Sequence, residues 1–218
     1  MDWEALRLSL LLAVATGLVL IPAGVMVARG LAYADFRGKS IVEAAIAIPL
    51  VLPPTVLGYY LLTAMGGASP LGAFYERMTG SPLAFSFQGL LVGSLIFNLP
   101  FALIPMERAF ESIPVEVRQA AECCGLSRHR TMWRIELPLA WPGIVSALVM
   151  TIAHTVGEFG VVLMVGGNIP GETRTIAISI YDRVQAFDMG AAGAMSAFLL
   201  VFSLVTLALT SRLSRRVW

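Results

Sequence analysis

The chain has 218 residues, of which 57% are hydrophobic and only 13% charged. A soluble domain carries about 25% charged and 45–50% apolar residues, and a single water-exposed globule of this size cannot bury so much apolar surface. A soluble enzyme, a nucleic-acid binder and a disordered protein are excluded, and the near-neutral net charge of +1 leaves only the distribution of charge to be informative.

A helix needs about 20 apolar residues to cross a bilayer. Leu8 to Ala28 is free of charge, and the acidic Asp2 and Glu4 before it are not a signal peptide's basic flank, so this run is expected to be a retained first span. The second span is expected over 44–65. It contains Pro49, Pro53 and Pro54, each of which removes a backbone donor. The freed carbonyls are tolerable only against protein or a wet cavity, so a deformed helix lining a path is expected, with Pro53 and Pro54 as path or gate candidates. The third span, 86–106, carries Pro100, Pro105 and the polar Asn98, a candidate path-lining group or an interhelical hydrogen-bonding one.

The segment 107–136 holds ten charged residues. Pro114 suits a helix start, nothing breaks Val115–Cys124, and Gly125 is a natural stop. On that helix Val117, Ala121 and Cys124 share a narrow small-residue face beside Ala120, and Arg118 and Glu122 form an i, i+4 pair on another face. Ser127 is expected to cap a second short helix ending at Glu136. Two readings stay open from the residues alone: an amphipathic helix on lipid headgroups, or a docking surface.

The fourth span is expected over 137–166, with Pro138 and Pro142 near its start and His154 and Glu158 inside it. Ionisable groups in a span are costly and mark functional candidates, as a hydrogen-bonded pair, a proton relay, or, for Glu158, a position near the outer end of a tilted helix. The outer segment after it contains Asn168, Thr173, Arg174 and Thr175, possible anion donors or contacts for a partner, beside Glu172, Asp182 and Asp188, which repel anions. The fifth span is expected over 189–211. Five spans place the termini on opposite sides. Lys and Arg gather in cytoplasmic loops. The segments 29–40 and 107–136 with the tail (Arg212, Arg215, Arg216) hold 11 of the 15 basic residues, which puts the N-terminus outside and the C-terminus in the cytoplasm. The adjacent Cys123 and Cys124 then face the reducing side; they lack the spacing of a metal site, and no metal or catalytic constellation is expected.

Gln119-Ala120-Ala121, Gly125-Leu126 and, with nine residues between it and the glycine, Ile135-Glu136-Leu137-Pro138 closely resemble the EAA motif of ABC importer permeases. Gln119 stands where that family usually has Glu. The resemblance implies an all-α permease of the type I importer fold, in one transmembrane domain over 1–218, with a coupling helix (Val117, Arg118, Gln119, Ala120, Ala121, Glu122, Gly125, Leu126) that docks on a cytoplasmic ATPase. Ile48–Tyr59, Leu137–Ile144, and the run Gly157-Glu158-Phe159-Gly160 with Gly166–Gly171, Thr173, Thr175 and Ile180-Tyr181 resemble molybdate ABC-transporter permeases. Gly157 thereby joins the path candidates. Sulfate and thiosulfate permeases share the Gly-Glu-Phe-Gly element and are the alternative.

That resemblance implies a homodimer, two ATPase subunits that bind ATP and Mg, and a periplasmic or lipid-anchored protein that delivers molybdate or tungstate. The chain has no G-x-x-x-x-G-K-[ST] loop, so it is not the ATPase and binds no cofactor of its own. An ion-driven carrier using His154 and Glu158 is the rival reading.

Overall fold

The computed structural model describes residues 1–215 and is helical throughout its regular structure. Arg216 and the side chains of Arg212 and Arg215, counted above in the basic tail, lie outside what is described. Among the described residues four helices are long and apolar enough to cross a membrane, and a bent pair raises the number to five when it is counted as one span.

The first of them, α1 (Trp3–Tyr33), is longer at both ends than its charge-free core. Asp2 starts it: the Ala5 amide donates to Asp2 Oδ1 at 3.0 Å, and Ser179 Oγ donates to the other oxygen at 2.8 Å. Burial pushes this carboxyl upward in pKa, but the two hydrogen bonds and the Arg174 and Arg183 charges outweigh it and hold it below the usual aspartate range. Replacing Asp2 with Ala is expected to cost about 1 kcal/mol, as for a lost helix cap. Because the folded pKa is depressed, the contribution is present above the ordinary aspartate range and disappears as pH falls through the folded value. Thermal unfolding of both forms against pH should show their Tm gap closing in acid.

The buried stripe of α1 is built from small residues, among them Ser9, Ala13, Thr16, Gly17, Gly24 and Ala28. In lipid, where apolar side chains gain nothing by leaving water, such residues permit the close backbone approach that holds helices together. The stripe packs on α5 (Phe87–Glu111) and α8 (Leu137–Gly157), and Leu20, Ala28, Ala102, Met106, Phe110, Ala140 and Ile144 form the core between them.

The second span is not one helix. α2 (Lys39–Val51) and α3 (Pro54–Met65) meet at 110°. Leu52 and Pro53 between them are extended, with ψ near 136° and 135°, because a residue before proline is driven from the helical region and Pro53 is followed by Pro54. The fourth span also departs from expectation. Helix α8 stops at Gly157, Glu158 is extended, and a separate α9 (Gly160–Gly166) follows. Packing of α9 on α3 and α5 gives a second core of Leu57, Met65, Phe97, Val161 and Val165. Outside the spans lie α4 (Pro70–Thr79) and α10 (Ile176–Gln185), and the last span is α11 (Met189–Arg215).

Candidate functional site

The charged loop begins later than the sequence suggested, because α5 runs on to Glu111. Pro114 then serves as the N-cap of α6 (Val115–Cys123). Gly125, at φ +75°, ends it: its amide donates to the Glu122 carbonyl at 2.9 Å and the Leu126 amide to the Ala121 carbonyl at 3.0 Å, the paired bonds of a Schellman motif. Val117 packs against the α1–α5–α8 core and Ala121 is buried, whereas Gln119, Ala120, Glu122, Cys123 and Cys124 are exposed. The apolar face is therefore narrower than expected. Its Val117 and Ala121 end holds the helix to its own bundle, and Cys124 is not part of it.

Arg118 does not pair with Glu122. It turns inward, with Nε 3.6 Å from Glu136 Oε1 and its guanidinium 3.8 Å from the centre of the Tyr33 ring. Glu136 is 1% exposed and also takes a two-pronged bond from Arg29, whose Nε donates to Oε2 and whose Nη2 donates to Oε1 at 3.3 Å. A buried carboxylate demands cationic partners, and this outcompetes an exposed i, i+4 pair. Ser127 caps only the short α7 (Arg128–Thr131). The expected helix end at Glu136 is instead a π-helical turn, Met132–Glu136, continuous with α8. A π turn inserts an extra residue and is often found at functional places in helices. Here Glu136 ties α1, α6 and the start of the fourth span into one clamp.

Farther along the spans, the path candidates form two groups. At the break of the fourth span Glu158 Oε1 accepts the Val161 amide at 2.8 Å, so the buried carboxylate caps α9. Next to it α3 and α9 touch: a Cβ on Gly160 would lie 2.6 Å from Cβ of Pro54, and one on Gly58 would lie 2.7 Å from Cβ of Met164. Pro53 is the hinge residue of the facing break. Gly157 has open space where a Cβ would be.

The second group is a polar chain across the bundle. Thr16 Oγ1 donates to Ser94 Oγ at 3.0 Å, and Asn98 Nδ2 donates to the Ser94 carbonyl at 2.8 Å and to Ser94 Oγ at 3.3 Å. Asn98 Oδ1 is left to accept from His154 Nδ1 at 3.1 Å, and the imidazole stacks on Phe101 and Phe97 at 3.8 and 4.8 Å. Neither Ser94 nor Thr16 was singled out from the sequence, because a lone hydroxyl in an apolar run gives no signal of its own. His154 and Glu158 are served by different partners and do not form the expected pair.

In the segment after α9 Asn168 bridges Asp182 (Nδ2 to Oδ2, 2.7 Å) and Arg174 (Nε to Oδ1, 2.6 Å). Thr173 and Thr175 are buried and are not surface donors as expected. Thr173 Oγ1 closes its own loop by accepting the Ile169 amide at 3.1 Å, while Thr175 lies under α1, where Ser9 accepts the Ile176 amide at 2.8 Å. Among the described residues no group of His, Cys, Asp and Glu could hold a metal ion.

Residues 20–218 match the family model of the binding-protein-dependent transport system inner membrane component. The chain is 43% identical over 206 residues to the molybdenum transport system permease protein ModB of Azotobacter vinelandii, covering 94% of this chain and 91% of that protein. It is 36% identical to the protein of the same name from Haemophilus influenzae, over all of this chain and 95% of the relative. The fold is similar to a chain of a bacterial ABC transporter that imports the acidic polysaccharide alginate, with a TM-score of 0.78 at 19% identity, covering 98% of this chain and 78% of that one. This chain is an inner-membrane permease component of the binding-protein-dependent transport family, a transport subunit and not the ATPase.

Proposed function

We propose that this permease carries molybdate, with tungstate as a close analogue, from an extracytoplasmic binding protein into the cytoplasm. The likeness to molybdenum permeases over nearly the whole chain, 43% in the Azotobacter relative, carries this reading. It works as a homodimer above two ATPase subunits, which hold the ATP and Mg, with its N-terminus outside and its C-terminus in the cytoplasm. Membership of the binding-protein-dependent transport family supports this reading over an ion-driven carrier using His154 and Glu158. Uptake by the reconstituted complex tests the substrate. Unlabelled molybdate and tungstate are expected to compete with labelled molybdate, and sulfate at the same concentration is not; equal competition by sulfate would reassign the substrate.

In this reading the exposed side of α6, namely Gln119, Ala120, Glu122 and the Gly125-Leu126 turn, meets the ATPase, and closure of the ATPases is passed to the spans through the Glu136 clamp. The broken spans, with Pro53, Pro54, Gly157 and Glu158, and the Asn98–His154 chain border the path. Asn168 and Arg174 face the binding protein. Docking is tested on the exposed alanine. Ala120→Asp puts a charge into the interface without touching the bundle and is expected to lower ATPase binding at least tenfold in pull-down of the complex, with the permease's own Tm unchanged. Ala121→Asp, by contrast, buries a charge against the permease itself and should lower that Tm.

A further inference from the structure

We propose that the cytoplasmic end of α1 and the π-helical turn together form a binding site for an anionic glycerophospholipid, with its headgroup in an arginine pocket and an acyl chain in an adjoining cleft. This rests on the orientation proposed above, which places that end at the inner leaflet. Two cavities adjoin there. One is an apolar cleft of about 600 Å³ between α1 and the start of the fourth span, walled by Ile21, Met26, Trp133, Trp141 and Ile144. The other, about 360 Å³, is lined by Arg29, Arg118, Arg128 and Thr131 with Glu122 and Glu136.

Both lie along α1, where Pro22, Met26, Arg29 and Tyr33 follow one helical stripe at i, i+4, i+7 and i+11, the first two bordering the cleft and the last two the pocket. On the other wall the π turn borders both, through Met132 and Glu136. The change from apolar to cationic along these two walls matches a lipid's own order from chain to headgroup. Trp133 and Trp141, 58% and 55% exposed, stand where aromatic side chains mark the membrane interface.

Charge selects the headgroup. Three arginines face two carboxylates, and Glu136 absorbs Arg29 and Arg118. Arg128 has no ion pair among the described residues and is exposed at the pocket's rim. The pocket therefore carries one positive charge in excess, which a phosphodiester with no compensating ammonium neutralises and a zwitterionic headgroup, having no net charge, does not. Basic pockets between spans on the cytoplasmic side are the kind of site that holds anionic headgroups. A lipid there would lie behind the Glu136 clamp and in contact with it.

The test uses the full-length permease in vesicles, with Trp3→Phe and Trp218→Phe in every sample so that Trp133 and Trp141 report. Phosphatidylglycerol brominated on its acyl chains is expected to quench their fluorescence about fivefold more effectively, at low mole fraction, than equally brominated phosphatidylcholine. Arg128→Glu, and more weakly Arg128→Gln, should erase that preference while leaving quenching by phosphatidylcholine unchanged. Equal quenching by the two lipids in the parent protein, or a preference that survives Arg128→Glu, overturns the proposal. Absence of quenching by either lipid also overturns it, since the cleft is then covered by a second copy of the chain. The readout needs no transport, so a wrong substrate assignment leaves it unaffected.

Discussion

Replacing Glu136 with Gln is expected to cut substrate uptake by the assembled complex at least tenfold while its ATP hydrolysis continues. Glu136 is buried to 1% exposure between two arginines from different elements, Arg29 of α1 and Arg118 of α6. Breaking a buried pair by removing one member costs about 3–5 kcal/mol. Here the arginines are 26% and 34% exposed and recover part of their hydration, so roughly 2 kcal/mol is the better figure. That loss falls on one joint. Without the carboxylate, α6 is held to the bundle mainly by Val117 and Ala121, and a push from the ATPase tilts the helix instead of moving α1 and α8. Arg118→Lys keeps the charge but loses the guanidinium's stacking on Tyr33, and is expected to give an intermediate effect. The exposed pair Arg108–Glu111 provides the contrast. It is joined at 2.8 Å, but Arg108 is 77% exposed, so Arg108→Gln should change uptake less than twofold. Parallel measurement of uptake and ATP hydrolysis in proteoliposomes decides it. Coupled transport that survives Glu136→Gln unchanged would show that the clamp does not transmit the motion.

What the sequence made legible follows the range of the interactions concerned. Charge-free runs coincide with the four long apolar helices and with the bent pair α2–α3, since span length is set by the bilayer and charges are excluded from it. The ends of α6 were legible because Pro114 and Gly125 act on their immediate neighbours. The direction of Arg118 was not. Its i, i+4 relation to Glu122 is visible in the sequence, whereas the demand of buried Glu136 appears only once α1 and the π turn are brought together. The prolines of the second span announced a distortion but not a 110° bend. Glu158 illustrates the limit most clearly. In an unbroken helix it would stack one turn above His154, and pairing would follow. The break at Glu158 and Phe159 carries no proline, and it turns the carboxylate onto the amides of α9 instead. The start of α10 after buried Thr175 likewise involves Ser9, far away in sequence, which accepts the Ile176 amide.

Two glycines three residues apart should respond in opposite ways to the same added methyl group. Gly160→Ala places a Cβ 2.6 Å from Cβ of Pro54, well inside van der Waals contact, and a proline ring at the first turn of α3 has little freedom to move aside. Overpacking of this kind typically costs about 1–3 kcal/mol. The strain falls where α3 and α9 cross, so it is expected to separate the two broken spans as well as lower stability, with a fall in Tm and a loss of uptake of fivefold or more. Gly157→Ala adds its methyl to open space, at the last residue of α8 with no positive φ to relieve. Alanine is favoured over glycine in a helix by up to about 1 kcal/mol, so Tm should hold or rise slightly. A gain in Tm with a loss of uptake for Gly157→Ala would show that the break at Glu158 must flex during transport, because the added helix propensity stiffens α8 up to that point. Equal tolerance of both substitutions would mean that the two broken spans do not meet at Pro54 and Gly160 in the membrane.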